Sequence, residues 1–409
     1  MKNHKLFILI LALISMIGPM STDAYLPSFH SITRDFHIGM DAVQQTLTIY
    51  MAAMAVMTLF HGTLSDAVGR KTVIIASLIL YTLASCFAAM ARSLPELLLC
   101  RMFQGMCAGT GTVVGRAMIR DRFSGPDAQK MLSYTIIMFG IAPVVAPILG
   151  GWLEVTYGWH SVFVFMASFG LFLLLTCIWG LRETLSVEQR SPLHLGLTLK
   201  SYLVMGSDVR FLLQSLSLAF ACTALFLYIS AAPVFIMQIL HLPETAFAWL
   251  FAPMITGIMG GSFAASCVAH RWKPHKIINV GFFLMIAMAI GNLLYAGFFT
   301  VSVPWAVIPI MLCNFTMAFV SPAMTVQTLD LYPERRGMAA SLQSAFTMGI
   351  FALFSGVVAP LFFQSAFRLA LGALGGYILC VILWHLAMRV PMKNSSTVIE
   401  ESDASSLVK

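Results

Sequence analysis

The stretch Arg182–Asp208, "RETLSVEQRSPLHLGLTLKSYLVMGSD", is the longest polar interval in a chain of 409 residues. Its surroundings are apolar: 59% of all residues are hydrophobic, only 10% are charged, and the mean hydropathy is +0.87. That composition lies far outside the range of water-soluble domains. A bilayer core about 30 Å thick is crossed by roughly 20 apolar residues in a helix. Twelve runs of that size can be read, at about 5–27, 41–61, 72–91, 95–117, 129–152, 161–181, 210–236, 245–268, 277–298, 303–325, 340–363 and 367–388, six on each side of the polar interval. The alternating segments of a barrel are missing, so helices are the remaining way to satisfy the backbone in lipid. The expected fold is an all-α membrane protein with twelve transmembrane helices in two pseudo-symmetric six-helix halves, 1–181 and 209–390, joined by a cytoplasmic loop, 182–208, and followed by a disordered polar tail, 391–409.

The loops after the second and eighth runs occupy equivalent places, "GTLSDAVGRK" (Gly62–Lys71) and "CVAHRWKPHK" (Cys267–Lys276), and both are short and basic. An internal duplication around a midplane site is a common plan for transporters. The start, "MKNHKLFILILALISMIG", lacks a small-residue cleavage site and is apolar beyond signal length, so it reads as an uncleaved first helix. With the N-terminus in the cytoplasm, 20 of the 24 Lys and Arg fall at or beyond the inner face; Arg34, Arg92 and Arg368 fall outside and Arg101 lies within a helix. The positive-inside rule then expects both termini in the cytoplasm. It also accounts for the net charge of +7 without a nucleic-acid partner.

Other function classes find no foothold. All eight cysteines fall within the apolar runs with no C-x-x-C pair, and the ten histidines show no metal-ligand spacing. Neither a Walker A loop, nor a dinucleotide fingerprint, nor a G-x-S-x-G elbow occurs. The expectation is a protein with no cofactor, no metal and no enzymatic activity, in which uphill work draws on an ion gradient.

Three stretches carry a family resemblance. "GTLSDAVGRKTVII" is similar to the cytoplasmic loop motif of the major facilitator superfamily at Gly62, Leu64, Asp66, Gly69, Arg70, Lys71 and Ile75, with Ala67 where an arginine is usual. "LLLCRMFQGMCAGTGTVVGRAMIRD" resembles the superfamily's second motif through Arg101, Gln104, Gly105 and Gly109. In "FGIAPVVAPILGGWLE", Pro147, Gly150 and Gly151 fit the end of the motif that marks its proton-coupled exporters, and Ser133, Ala142 and Ala146 replace three glycines. The A-P-x-x-A-P-x-L-G-G form at Ala142–Gly151, with "TDAYLPS" (Thr22–Ser28) and "GRAMIRD" (Gly115–Asp121), looks like the Bcr/CflA drug-resistance branch. The resemblance covers essentially the whole chain. It implies a conformational latch of Gly62, Asp66, Gly69, Arg70 and Lys71 with Arg116 and Asp121, and an antiporter element around Pro143, Pro147, Gly150 and Gly151.

Charge inside an apolar span is expensive and needs a function or a partner. Asp23 and Arg101 are such residues, since no charge occurs from Leu6 to Thr22. With the first helix ending near Pro27 or Ser28 and the fourth starting at Pro95, a rise of 1.5 Å per residue puts both roughly 6–9 Å below the outer face. They are expected to pair, or to share a proton or ligand, with Asp23 as proton carrier; the alternative is that Asp23 caps an early helix end. Tyr25, Tyr50, Met54, Gln104, Tyr134, Met138, Phe226, Tyr228, Phe235, Phe346 and Met348 are candidates for the cavity, because methionines and aromatic faces accept varied ligands. The reading is a monomeric, multi-pass exporter of the bacterial inner membrane that trades an incoming proton for an outgoing amphipathic drug, the branch's typical cargo being bicyclomycin, phenicols and sulphonamides. A dedicated exporter of a nucleoside, amino acid or siderophore, and a non-transporting sensor, stay open as alternatives.

Overall fold

The computed structural model describes residues 2–190, 195–269 and 271–391, so the expected polar tail lies outside the described residues apart from Pro391. Helix is the only regular secondary structure among them. Eleven helices are long and apolar enough to cross a bilayer: α1 (Leu6–Phe36), α2 (Met40–Val68), α3 (Arg70–Ala88), α4 (Leu94–Arg122), α5 (Lys130–Tyr157) and α6 (Trp159–Gly180), then α8 (Ala248–Ala269), α9 (Pro274–Phe298), α10 (Val307–Leu329), α11 (Pro333–Phe362) and α12 (Ala366–Arg389). Between them, residues 209–239 form α7, a helical run that breaks at Cys222 and again near Ala231. Backbone bonds carry across both breaks, from the Phe226 amide to the Cys222 carbonyl at 3.0 Å and from the Phe235 amide to the Ala231 carbonyl at 2.7 Å, so α7 is the twelfth span. The helix Leu195–Gly206 bends away from the start of α7 by 83° and belongs to the connection.

Each helix reverses the direction of the last. One end of the bundle therefore collects Arg70, Lys71, Arg120, Arg122 and the connecting segment, and is here called the basic end; the opposite one is the far end. The two halves repeat one another. In the first, α2 packs on α4, and α3 on both α4 and α6; in the second, α8 packs on α10, and α9 on both α10 and α12. His37 ends α1 and His241 follows α7, and both hold the same left-handed backbone at φ 53°.

Several helices outrun their apolar stretches. α1 continues to Phe36 instead of stopping near Pro27, α2 to Val68 instead of 61, and α4 to Arg122 instead of 117. Hydrophobicity measures the lipid crossing only, and polar residues prolong a helix into water as long as nothing breaks it. The motif Gly62–Lys71 is thus mostly helix, with the chain reversing at Gly69 alone, where φ is 106°. A left-handed turn of that kind is open to glycine at little cost. Within α1, Pro19 has no N–H for the Ser15 carbonyl, and the helix breaks at Met16 and restarts at Ile17. Asp23 ends that second segment.

Candidate functional site

A cavity of about 250 Å³ lies between the halves, bordered by α1, α2 and α5 of the first and by α7, α8 and α11 of the second. Its wall is almost wholly apolar: Met51, Met54, Met254 and Met348 face it with Phe226 and Phe351, whose rings stack at 4.3 Å. Asp23 and Thr22 interrupt that wall, and the Thr22 hydroxyl donates to Asp23 Oδ1 at 3.0 Å. Asp23 is the only acidic side chain among the lining residues. Glu154 is buried as well, but in the last turns of α5 and away from the cavity.

Arg101 does not pair with Asp23. No ion pair within 4.0 Å joins either residue to an opposite charge among the described residues. Instead the fully buried guanidinium lies behind the cavity wall, 4.3 Å from the ring centre of Tyr50 and 4.8 Å from that of Tyr25. Its Nη1 donates to the Ser21 carbonyl at 3.0 Å and to Gln104 Oε1 at 2.9 Å, while Nε and Nη2 have no hydrogen-bond partner among the described residues. Gln104 passes the network on to Ser85 at 2.8 Å, and the Tyr25 hydroxyl shares a hydrogen bond with Thr46 at 3.0 Å. Counting along helices compares depth alone; the faces of α1 and α4 turn the acid to the cavity and the base to the aromatic rings. A cation held over ring faces keeps electrostatic compensation without a carboxylate.

The expected cavity set divides accordingly. Tyr50, Met54, Phe226 and Met348 line the cavity. Tyr25 and Gln104 belong to the Arg101 shell. Tyr228 is sealed in the second half, where it accepts from Asn292 at 2.9 Å and packs against Phe235. Tyr134 is exposed on α5, Met138 is half-buried and packs against the hydrophobic core, and Phe346 joins Tyr202, Tyr332 and Leu59 at the basic end. Residue type alone does not say which face of a helix looks inward.

The stretch Pro143–Gly151, expected as an antiporter element, packs against the residue next to Asp23. Pro143 and Pro147 both lie inside α5, and Pro143 lines the cavity. A Cβ on Gly150 would collide with the backbone of Ala24, the residue after Asp23. A Cβ on Gly151 would collide with the backbone of Glu244, so this glycine lets α5 approach the second half at the far end. There the halves also meet through the Gln44 amide, which donates to Ser355 Oγ at 2.9 Å, and the Gln45 amide, which donates to the Gly356 carbonyl at 3.2 Å.

At the basic end Arg70 is ion-paired with Asp66 and, at 3.2 Å, with Asp121, and its Nη1 donates to Ser65 Oγ at 2.6 Å. Glu183, absent from the expected set, accepts from the backbone amides of Arg70 at 3.0 Å and Lys71 at 3.1 Å. It caps α3 from the segment after α6, since Gly69 has no side chain to do so. The signal was present: a helix starting with Gly69–Arg70–Lys71 and no local cap needs an acceptor from elsewhere. Gly62 is open to a larger side chain, and Arg116 has no acid within 4.0 Å among the described residues; neither joins this cluster. On the second half Asp208 caps α7 and accepts from the Tyr332 hydroxyl at 2.8 Å. Burial first, and the neighbouring Asp208 carboxylate, hold that phenol above its ordinary range, so Tyr332 stays a donor.

A family model described as Major Facilitator Superfamily matches residues 11–356. An uncharacterized MFS-type transporter of Bacillus subtilis, YdgK, is 28% identical over 355 residues, which is 86% of this chain and 87% of that protein. A bicyclomycin resistance protein homolog of Haemophilus influenzae is 27% identical over 369 residues, 89% of this chain and 92% of that one. Among solved structures, a bacterial homolog to the human lysosomal transporter Spinster, inward-facing and occupied, matches with a TM-score of 0.72 at 17% identity, over 95% of this chain and 97% of its own; it shares the fold.

Proposed function

The chain belongs to the major facilitator superfamily of membrane transporters, and from that premise we propose that it exports amphipathic small molecules, antibiotics among them, in exchange for protons. Its basic end faces the cytoplasm of a bacterial inner membrane, as the positive-inside rule requires, with both termini on that side. It works as a monomer by moving its two halves around the central cavity, with no covalent chemistry and no bound cofactor.

The observation that carries the reading is the isolation of Asp23. One carboxylate stands in an apolar wall between the two halves, hydrogen-bonded to Thr22 and, among the described residues, matched by no cation within 4.0 Å. Such a group is costly to leave charged in a membrane. It takes a proton or a cationic or hydrogen-bonding ligand, and the two compete for the same oxygens. Competition at one site is sufficient for exchange: a bound drug leaves as protonation of Asp23 removes its partner, and proton loss on the cytoplasmic side restores the site. The methionine and phenylalanine wall supplies adaptable apolar contact for cargo of varied shape. The bicyclomycin resistance homolog is consistent with antibiotic cargo.

Everted vesicles carrying an acidified lumen test the reading. Candidate drugs are added and proton release is followed for wild type and Asp23→Asn at matched expression. Release by wild type alone is the expected result. Equal release by both removes Asp23 from the coupling, and no release with any compound of a broad drug panel overturns the antiporter.

A further inference from the structure

The second half carries a groove, separate from the central cavity, that opens sideways between α8 and α10 at the basic end. These two helices run in the same direction and meet on a regular ladder. Gly257 lies against the backbone of Met311 and Gly261 against that of Phe315, so tightly that a Cβ on either would collide. Beyond these glycines Ala265 and Ala269 of α8 and Phe319 and Ala323 of α10 border a space of about 300 Å³, with Ala265, Ile277 and Phe319 packed together along it. The tight glycine contact thus gives way to an apolar groove as the helices approach the basic end. The lining runs from Ser262 to Ala269 along α8, about 10 Å at 1.5 Å per residue. Trp272 and Pro274 close it at the end where the chain turns into α9.

The rim of this groove is cationic. Arg271, Lys273 and Lys276 are all exposed, and Lys276 Nζ sits 4.6 Å from the ring centre of Trp272. Among the described residues no acidic oxygen lies within 4.0 Å of any of the three. The equivalent turn of the first half provides the contrast, because there Asp66 and Asp121 neutralise Arg70, and Glu183 caps the helix. In the second half Lys273 is the N-cap of α9 and supplies no side-chain acceptor, so the positive end of that helix adds to the field. One turn of the duplicated fold is internally compensated and the other is left positive, beside an apolar slot.

We propose that this groove is a binding site for an anionic phospholipid, with one acyl chain along α8 and α10 and the phosphate on Lys273 and Lys276 at the start of α9. Apolar length, an aromatic residue at the rim and uncompensated cations are what a headgroup and chain together require. A zwitterionic lipid fills the slot equally well but gains less from the rim. The site lies on the half that does not hold Asp23, so lipid occupancy and proton coupling are separable.

The test is native mass spectrometry of the delipidated full-length transporter titrated with phosphatidylglycerol, with phosphatidylcholine of the same chains, and with water-soluble glycerol phosphate. Phosphatidylglycerol is expected to stay bound at collision energies that strip phosphatidylcholine, and glycerol phosphate not to bind. Lys273→Gln with Lys276→Gln should lower phosphatidylglycerol occupancy on the order of tenfold, to the level of phosphatidylcholine. Ser266→Phe, an exposed position on the groove wall, should reduce both lipids. Equal retention of the two lipids by wild type, or an undiminished preference for phosphatidylglycerol in the double variant, overturns the proposal. Binding of glycerol phosphate as tight as that of the lipid would leave an anion site in its place.

Discussion

Gly150 of α5 lies directly against the backbone of Ala24 in α1, with no room for even one methyl group between them. Since Ala24 follows Asp23, this contact sets where the carboxylate stands in the cavity. Gly150→Ala must therefore push α1 from α5. Overpacking of this kind costs about 1–3 kcal/mol. The expected outcome is a lower thermal midpoint for the purified protein together with reduced drug efflux. Gly291→Ala, exposed on α9 with open space around it, should change neither. Equal behaviour of the two variants would show that the contact does not matter.

The stacking of Arg101 between two tyrosines makes a second prediction. Tyr50→Phe keeps the ring face and should preserve stability and efflux. Tyr50→Leu removes a cation–π contact worth about 2 kcal/mol in a desolvated site. Arg101→Lys should be as harmful as Tyr50→Leu, because an ammonium lacks the planar face that the guanidinium presents to the two rings. Thermal midpoints and efflux of the three variants decide it. If Tyr50→Phe fails like Tyr50→Leu, the hydroxyl, which donates to the Gly18 carbonyl at 3.3 Å, is the group that matters.

The sequence makes some of this plain and hides the rest for physical reasons. Twelve apolar runs of bilayer length specify the bundle, since lipid leaves the backbone few alternatives. The ends are less legible: hydropathy stops at residue 61 in α2, whereas the helix continues to Val68 because polar residues sustain it in water. Asp23 and Arg101 stand out by charge alone, yet their separation depends on helix rotation, which depth cannot supply. Tyr134 and Phe346 were plausible by type, and face outward and into the basic end respectively. Glu183 and the Gln44–Ser355 bond act across 113 and 311 positions of sequence; the uncapped start of α3 calls for an acceptor without saying which, and the bond has no local signature at all.

The turn at Gly69 gives the third prediction. Its φ of 106° is costly for any residue with a Cβ, and a Cβ there would also meet the Glu183 carboxylate at 2.6 Å. Gly69→Ala should thus cost more than Glu183→Ala, which removes a helix cap worth about 1 kcal/mol. The double variant should be less damaging than the sum of the two, because removing the carboxylate relieves the clash. Thermal midpoints of the four proteins measure the coupling, and strict additivity would exclude a direct contact.

Closure of the far end makes the last prediction. Gln44 and Ser355 belong to different halves, and their hydrogen bond at 2.9 Å exists only while α2 and α11 touch there. Transport by rocking of the halves must break it once per cycle. Gln44→Cys with Ser355→Cys, in a background where the exposed Cys86 and Cys267 are serine, should be bridged rapidly by a short thiol crosslinker. Efflux should then stop, and each single-cysteine variant should be unaffected by the reagent. A reducible crosslinker adds the decisive control, since its cleavage should restore efflux to the untreated level. Full efflux in a quantitatively crosslinked population would mean that the far end stays closed throughout the cycle, and alternating access between these two helices would be excluded. Gly151→Ala, which pushes α5 away from the backbone of Glu244, should act in the opposite sense. It should slow crosslinking at positions 44 and 355, and raise the labelling of a cysteine placed at Thr245, by favouring the state in which the far end is open.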